Sequence, residues 1–500
     1  MKRIESLAFT AMLAAPFMAA HAQAPDFSHA RRLILAGMAR DSVPAVAIAV
    51  VRDGRIIWEE GFGWSDPEHR IAATPNTPFA LASLTKSFVA VAAMALQERG
   101  QLDLDRPVNE YLRTASVWSP AWNASAVTLR RLLNHTAGLS TFDLWCADAR
   151  NRCTLPSADE TIRRFGAITS RPGSAFDYSN LGYLVAGEAV ARAHRETLAA
   201  TLRDEVFLPL GMRHSSLGIP DSAFLRATAV PMSSSVGLVP LEVGLGGSGA
   251  SHGFASAHDL ALFGAFLLET PLSGQSKILP DAAIDSLLSS IEDDAGRSTG
   301  YGLGFWVEAN RKGYRTALAQ GGTDRAQAWL RLVPTERIAV ALLADKGVGF
   351  PETVVDDVIA ALLPNYRAAL DTKRGTVAST AVAAATEPRP VDSAIVGTWT
   401  GTIHTADGAI PIRLVVGAMG DVRATVGTYG DTGRARLTAS GVFRVHIPTA
   451  ALQGPAWSGA APLDFYLRRL GSGYGGTATT AFRQAPIEGR VSYYADIRRP

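Results

Sequence analysis

The chain has 500 residues, 47% of them hydrophobic and 19% charged, with a net charge of +2. That balance excludes a disordered chain, and with no basic run or basic–aromatic stripe it gives no reason to expect a nucleic-acid partner. Five hundred residues exceed one ordinary hydrophobic core, so two folded domains are expected.

Met1-Lys2-Arg3 followed by an apolar stretch to Ala20 reads as a signal peptide over residues 1–22. Ala20-His21-Ala22 supplies the small-x-small cleavage pattern, placing the mature start near Gln23 and the protein in the periplasm or outside the cell. No Cys stands at the cleavage point to take a lipid anchor. No later stretch is long enough to span a bilayer, so no integral membrane segment is expected after cleavage. Val43 to Val51, Asp53-Gly54 and Arg55 to Glu59 read as a β-hairpin with Asp-Gly at the turn.

Thr77-Pro78-Phe79 is an extended, proline-marked approach to the apolar helical stretch Phe88 to Leu96, which Gly100 closes. Between them lies Ser83-Leu84-Thr85-Lys86. If the helix starts near Ser83, three residues is just under one turn and the two side chains share a face. A serine hydroxyl is a poor nucleophile until a base takes its proton, and a desolvated lysine can be that base. The plain alternative is a capped helix with a snorkelling lysine. Against it, no other lysine occurs between Lys2 and Lys277, and Arg, used elsewhere, cannot give up its proton.

Helical spacing continues at Val127 to Leu133, Ala158 to Phe165 and Leu184 to Arg195. Cys146 and Cys153, seven apart in an exported chain, read as a small-loop disulfide; no neighbouring His completes a metal set. Tyr178 and Asn180 follow Pro172-Gly173. A tyrosine beside an ammonium can have a depressed pKa and exchange protons, and an amide two residues on can bond both a substrate carbonyl and the lysine; the plain alternative is a packed tyrosine and an asparagine in a turn. Beyond the helix Leu260 to Leu268, Gly304 to Val307, Ala326 to Val333 and Ile338 to Leu343 read as strands, and Asp356 to Leu363 as a final helix. Strands from both ends around a helical middle predict an α+β domain at 23–367 with one antiparallel sheet. Residues 368–391, rich in Ala, Thr and Pro, read as a linker. Short strands with Gly-rich turns follow at 397–403, 411–416, 422–426, 443–447, 465–467 and 491–497. They predict a small, lipocalin-like β-barrel over 392–500. Trp399, Arg413, Arg423 and Arg436 alternate as barrel positions and read as fold rather than site.

Several segments in order resemble the serine β-lactamase and penicillin-binding-protein superfamily on its class C side, with its D,D-peptidases, D-aminopeptidases and family VIII carboxylesterases. Pro78 to Lys86 looks like the nucleophile motif. Leu132-Leu133-Asn134-His135-Thr136-Ala137-Gly138-Leu139 is similar to L-L-x-H-T-S-G-L, and Tyr178-Ser179-Asn180 to Y-x-N. Leu208 to Met212, Ser251 to Leu260 and Tyr301 to Phe305 resemble further family segments. The resemblance implies that Ser83 forms an acyl-enzyme, Lys86 helps deprotonate it, and Tyr178 relays a proton to the leaving group and later helps activate water. Asn180 would position the acyl side chain and Lys86. The backbone N–H groups of Ser83 and Gly322 would hold the oxyanion. It implies no cofactor and no metal. The substrate would be a small-molecule ester, amide, D-amino-acid peptide or β-lactam. His135 is implied to be structural and His252 a wall residue.

The chain departs from the family at its third motif. Where the family has K-T-G or H-x-G, it has Ala319-Gln320-Gly321, with Gln320 and Gly321 at substrate-binding positions. The glycine allows close approach of substrate backbone, but the cation that helps bind the substrate carboxylate is missing. Arg325 could supply a charge from nearby. The loss tilts the expectation from β-lactamase toward esterase or aminopeptidase-like chemistry. The reading from another class is a non-catalytic sensor of penicillin or peptidoglycan. A Cys146–Cys153 loop would rim the pocket.

Overall fold

The structure is a computed structural model that describes residues 25–140, 142–146, 156–230, 232–233, 237–238, 248–366, 390–450, 461–484 and 487–500. The expected leader, Cys153 and with it the expected disulfide, nearly all of the linker, and most of the 231–249 loop lie outside the described residues.

Helix α1 (Ser28–Asp41) leads into strands β1 (Ala45–Arg52) and β2 (Arg55–Asp66). Their hairpin turns on Asp53 (φ 49°) and Gly54 (φ 69°), two left-handed residues that match the twist of the paired strands. Next come the short strand β3 (Ile71–Ala72), helix α2 (Thr85–Glu98), strand β4 (Asp143–Cys146), and helices α3 (Asn180–His194) and α4 (Ala257–Leu267). Strands β5 (Trp306–Arg311), β6 (Tyr314–Thr323), β7 (Ala326–Val333) and β8 (Ile338–Ala344) then precede helix α5 (Pro351–Leu362). One seven-stranded sheet runs β5-β6-β7-β8-β1-β2-β3. The first and last parts of the domain meet at β1 and β8, antiparallel from Val46↔Ala344 to Arg52↔Ile338, as the pattern predicts.

Burial on both faces explains why β1 is apolar throughout. Val46, Ile48 and Val50 join Ile34 of α1 and Val355 and Ile359 of α5 in one layer. Ala45, Ala47 and Ala49 face the other layer with Phe88 of α2 and Leu260 of α4. Each fully buried Val or Ile side chain contributes about 1.5–3 kcal/mol. Every α2 residue from Thr85 to Leu96 is buried, which is the condition for a helix apolar all round. Three polar residues in that run, Thr85, Lys86 and Ser87, therefore sit in the interior and need partners.

The C-terminal strands are β9 (Gly397–Thr405), β10 (Gly408–Val416), β11 (Asp421–Val426), β12 (Tyr429–Leu437), β13 (Phe443–Ala450), β14 (Ala461–Leu470), β15 (Gly473–Gln484) and β16 (Ile487–Arg498). Each pairs antiparallel with the next, and β9 pairs with β16 to close the barrel. Trp399, Leu414, Phe443, Phe465 and Tyr474 fill it. The start of β16 runs on beyond this closure and pairs with β4, Gly489 opposite Leu144 and Arg490 opposite Asp143. Among the described residues no helix is long and apolar enough to cross a membrane.

Candidate active site

Ser83 lies in a single 3-10 turn, Ala82–Leu84, and α2 begins at Thr85, two residues later than the spacing suggests. The cause is Ala82, whose φ of 46° is left-handed and cannot continue a helix backward. A non-glycine residue there costs on the order of 1 kcal/mol and is held by its burial. Two bonds staple the turn: Thr85 Oγ1 donates to the Ala82 carbonyl at 2.7 Å and Ser87 Oγ to the Leu84 carbonyl at 2.8 Å. Ser83 is thereby set at the head of α2, where backbone N–H groups lack helical acceptors.

Lys86 is 1% exposed. Its Nζ donates to Ser83 Oγ at 3.0 Å, to Asn180 Oδ1 at 2.7 Å and to the Ala250 carbonyl at 2.8 Å. Those three partners use all three ammonium hydrogens, so the side chain does not snorkel. Desolvation brings its pKa down to about 7, against the opposing pull of Asp143. At neutral pH the group therefore exists substantially as the free amine.

Tyr178 and Asn180 straddle Ser179, the N-cap of α3, whose hydroxyl accepts from Gly182 N. The Tyr178 ring lies 4.9 Å from Lys86 Nζ. Its pKa moves opposite to the depressed value expected from the sequence. Burial pushes it up to about 12, eased by its contact with Ser83 and raised further by Asp143. The phenol thus keeps its proton at neutral pH and is poised to donate. His135 accepts the Ser179 N–H at Nδ1 (3.0 Å) and packs against the Tyr178 ring at 4.3 Å with the planes tilted by 37°. Burial holds its pKa well below the usual imidazole value. It supports the Tyr178 segment as a neutral ring.

Asp143, on β4, is the residue the sequence did not single out. Its Oδ1 accepts from Asn180 Nδ2 at 2.7 Å, completing a chain from Ser83 through Lys86 and Asn180 to a carboxylate. No spacing signals it, because β4 reaches α3 only through the tertiary fold.

The third-motif strand is β6. It pairs with β7 from Ala317 to Thr323, with Ala319↔Leu330 and Gly321↔Ala328. Its other edge pairs with β5 only as far as Leu318, which leaves main-chain groups from Ala319 onward open to a substrate. Gly321 packs directly on the nucleophile turn: a Cβ there would stand 2.0 Å from the Leu81 carbonyl and 2.5 Å from Ser83 N. Alternation puts Gln320 on the opposite face, across from Trp329, and leaves the next glycine, Gly322, exposed at the strand's end. Ala319 is buried and brings no charge. Arg325 pairs with its neighbour Asp324 at 3.7 Å. His252 is brought down to about 4 by burial and stays neutral, so it does not replace the missing cation. The fold therefore brings Ser83, Lys86, Tyr178, Asn180 and Gly321 together and turns Gln320 away.

A family model described as Beta-lactamase matches residues 30–363. Protein flp of Staphylococcus aureus (strain N315) is 22% identical over 339 residues, 67% of this chain and 66% of that protein, so the chain spans just under two thirds of that relative. Among solved structures, the octameric penicillin-binding protein homologue from Pyrococcus abyssi is 21% identical with a TM-score of 0.58, covering 95% of this chain and 100% of that one. A class C β-lactamase from Rhodobacter sphaeroides is 18% identical with a TM-score of 0.55, covering 67% of this chain and 99% of that one. The first likeness extends over the barrel as well as the sheet domain.

Proposed function

The chain belongs to the β-lactamase family and is a serine hydrolase, and from that premise we propose that it is exported and cleaves an ester or amide through an acyl group carried on Ser83. The supporting observation is the buried Lys86 amine, 3.0 Å from Ser83 Oγ and brought down to about 7. In its free-amine form Lys86 Nζ takes the Ser83 proton while Oγ attacks the carbonyl carbon. The oxyanion is held by the N–H groups of Ser83 and Gly322. On collapse the leaving oxygen or nitrogen takes a proton from the Tyr178 phenol, which regains one from the Lys86 ammonium beside its ring. Water then attacks the acyl-enzyme, with the same groups receiving its proton, and releases the acid and free Ser83.

Ala319 favours esterase or aminopeptidase-like substrates over β-lactams, because the site has no third-motif cation for a substrate carboxylate. The same alanine is the one feature that favours a penicillin- or peptidoglycan-binding sensor, which would acylate without turnover. The test compares steady-state rates on a short-chain p-nitrophenyl ester, an alanyl p-nitroanilide and a chromogenic cephalosporin. The ester or the anilide is expected to turn over faster than the cephalosporin, and Ser83→Ala to lower that rate by ~10³-fold or more. A cephalosporin turned over best would overturn the preference. A Ser83→Ala variant that keeps its rate would overturn the mechanism.

A further inference from the structure

Asp143 has no task in the mechanism above beyond holding Asn180. Its Oδ1 bonds Asn180, and among the described residues its Oδ2 has no partner. The side chain is half-buried, and its charge is felt at both Lys86 and Tyr178. Once Lys86 has become the free amine, no cation among the described residues pairs with this carboxylate. Ala319 is apolar, His252 is neutral and Arg325 leans on Asp324. Arg490 stands across from Asp143 in the strand pairing, but it is exposed and makes no ion pair with it. An uncompensated carboxylate in a partly desolvated cleft attracts a cation strongly.

Resting on the reading of Ser83 as the acylated nucleophile, we infer that the substrate's acyl group carries a protonated amine, which Asp143 Oδ2 receives. The substrate class is then an aminoacyl ester or amide. An amine one carbon from the scissile carbonyl, bonded to Asp143, sits beside Asn180 and fixes how the carbonyl is presented to Ser83. The barrel takes part in this. The strand that carries Asp143 is held by Ile487–Arg490 of β16, and a Cβ on Gly489 would lie 1.9 Å from the Asp143 carbonyl.

The test uses the full-length chain and three anilides: alanyl p-nitroanilide of either hand, its N-acetyl derivative, and propionyl p-nitroanilide. The wild type is expected to prefer the free amine by ~10- to 100-fold in kcat/KM, mainly through KM. Asp143→Asn is expected to bring that preference toward unity, and Asp143→Glu to restore part of it. Alaninamide should inhibit the wild type competitively where propionamide does not, a readout that needs no variant. Equal wild-type rates on the three anilides, or an Asp143→Asn variant that loses the same fraction on all of them, would overturn the inference. Ser83-dependent hydrolysis without amine preference overturns this inference alone. No Ser83-dependent rate on any substrate overturns the reading of Ser83, and this inference with it.

Discussion

Lys86 shows how surroundings set the chemistry of one side chain. Burial costs its ammonium more than three hydrogen bonds return, and its pKa falls to about 7. The rate should follow. We predict that on an ester without an amine kcat/KM rises with pH through about 7 and then levels, with no second fall until Tyr178 titrates near 12. Lys86→Arg, which keeps the charge but cannot be a base, should lose ~10³-fold or more. Stability should move as well. Between about 7 and 10.5 the unfolded lysine binds a proton that the folded one has released, so acid favours unfolding and stability rises with pH. Urea melts of wild type and Lys86→Met at pH 7, 8 and 9 should differ in slope by about 1.4 kcal/mol per pH unit, and identical slopes would contradict the shift. Ser83 and Lys86 were legible in the sequence because their short spacing puts both at the head of one helix, and Tyr178 and Asn180 because their segment resembles the family's Y-x-N. The Tyr178 shift was not, because burial is a property of the whole fold. Asp143 was not, because Asn180 comes 37 residues later.

At the scale of elements, the nucleophile turn and β6 are one device. Ala82 stops α2 from extending backward, and Gly321 lets β6 pass within contact of Ser83 N. Gly321→Val is therefore expected to lower kcat/KM by ~100-fold or more on every substrate while the melting transition stays cooperative; an active variant would contradict the packing. Strands β1, β7 and β8 of the central sheet were readable because burial on both faces makes them apolar runs, as in Ile338–Ala344. Two barrel strands were not. Tyr429–Leu437 is largely polar and Gly473–Gln484 rich in Gly and Thr, so backbone pairing with neighbours defines them where side-chain pattern does not.

At the scale of the molecule, the barrel is built onto the rim of the site. Trp122 meets Tyr494 edge-on at 5.1 Å, Phe165 meets Tyr493 at 6.0 Å, and β16 adds β4 to its edge. Between the two parts lies a cleft of about 600 Å³ lined by Phe176 and Asp177 on one side and Tyr466 and Arg468 on the other. Gly489→Leu should force β4 off β16. We expect faster amide exchange at 143–146 and a lowered preference for amine-bearing substrates; unchanged exchange would show that the barrel edge does not hold the strand. That a barrel follows was legible from the change in composition past residue 391, whereas its docking strand was not, since β4 and β16 are far apart in sequence. The most direct test of the central claim is intact-protein mass spectrometry of the full chain, acid-quenched during turnover of p-nitrophenyl acetate. The account predicts a mass increase of one acetyl group on the peptide carrying Ser83, absent in Ser83→Ala. Turnover with no adduct on that peptide, or an adduct that survives Ser83→Ala, would contradict it.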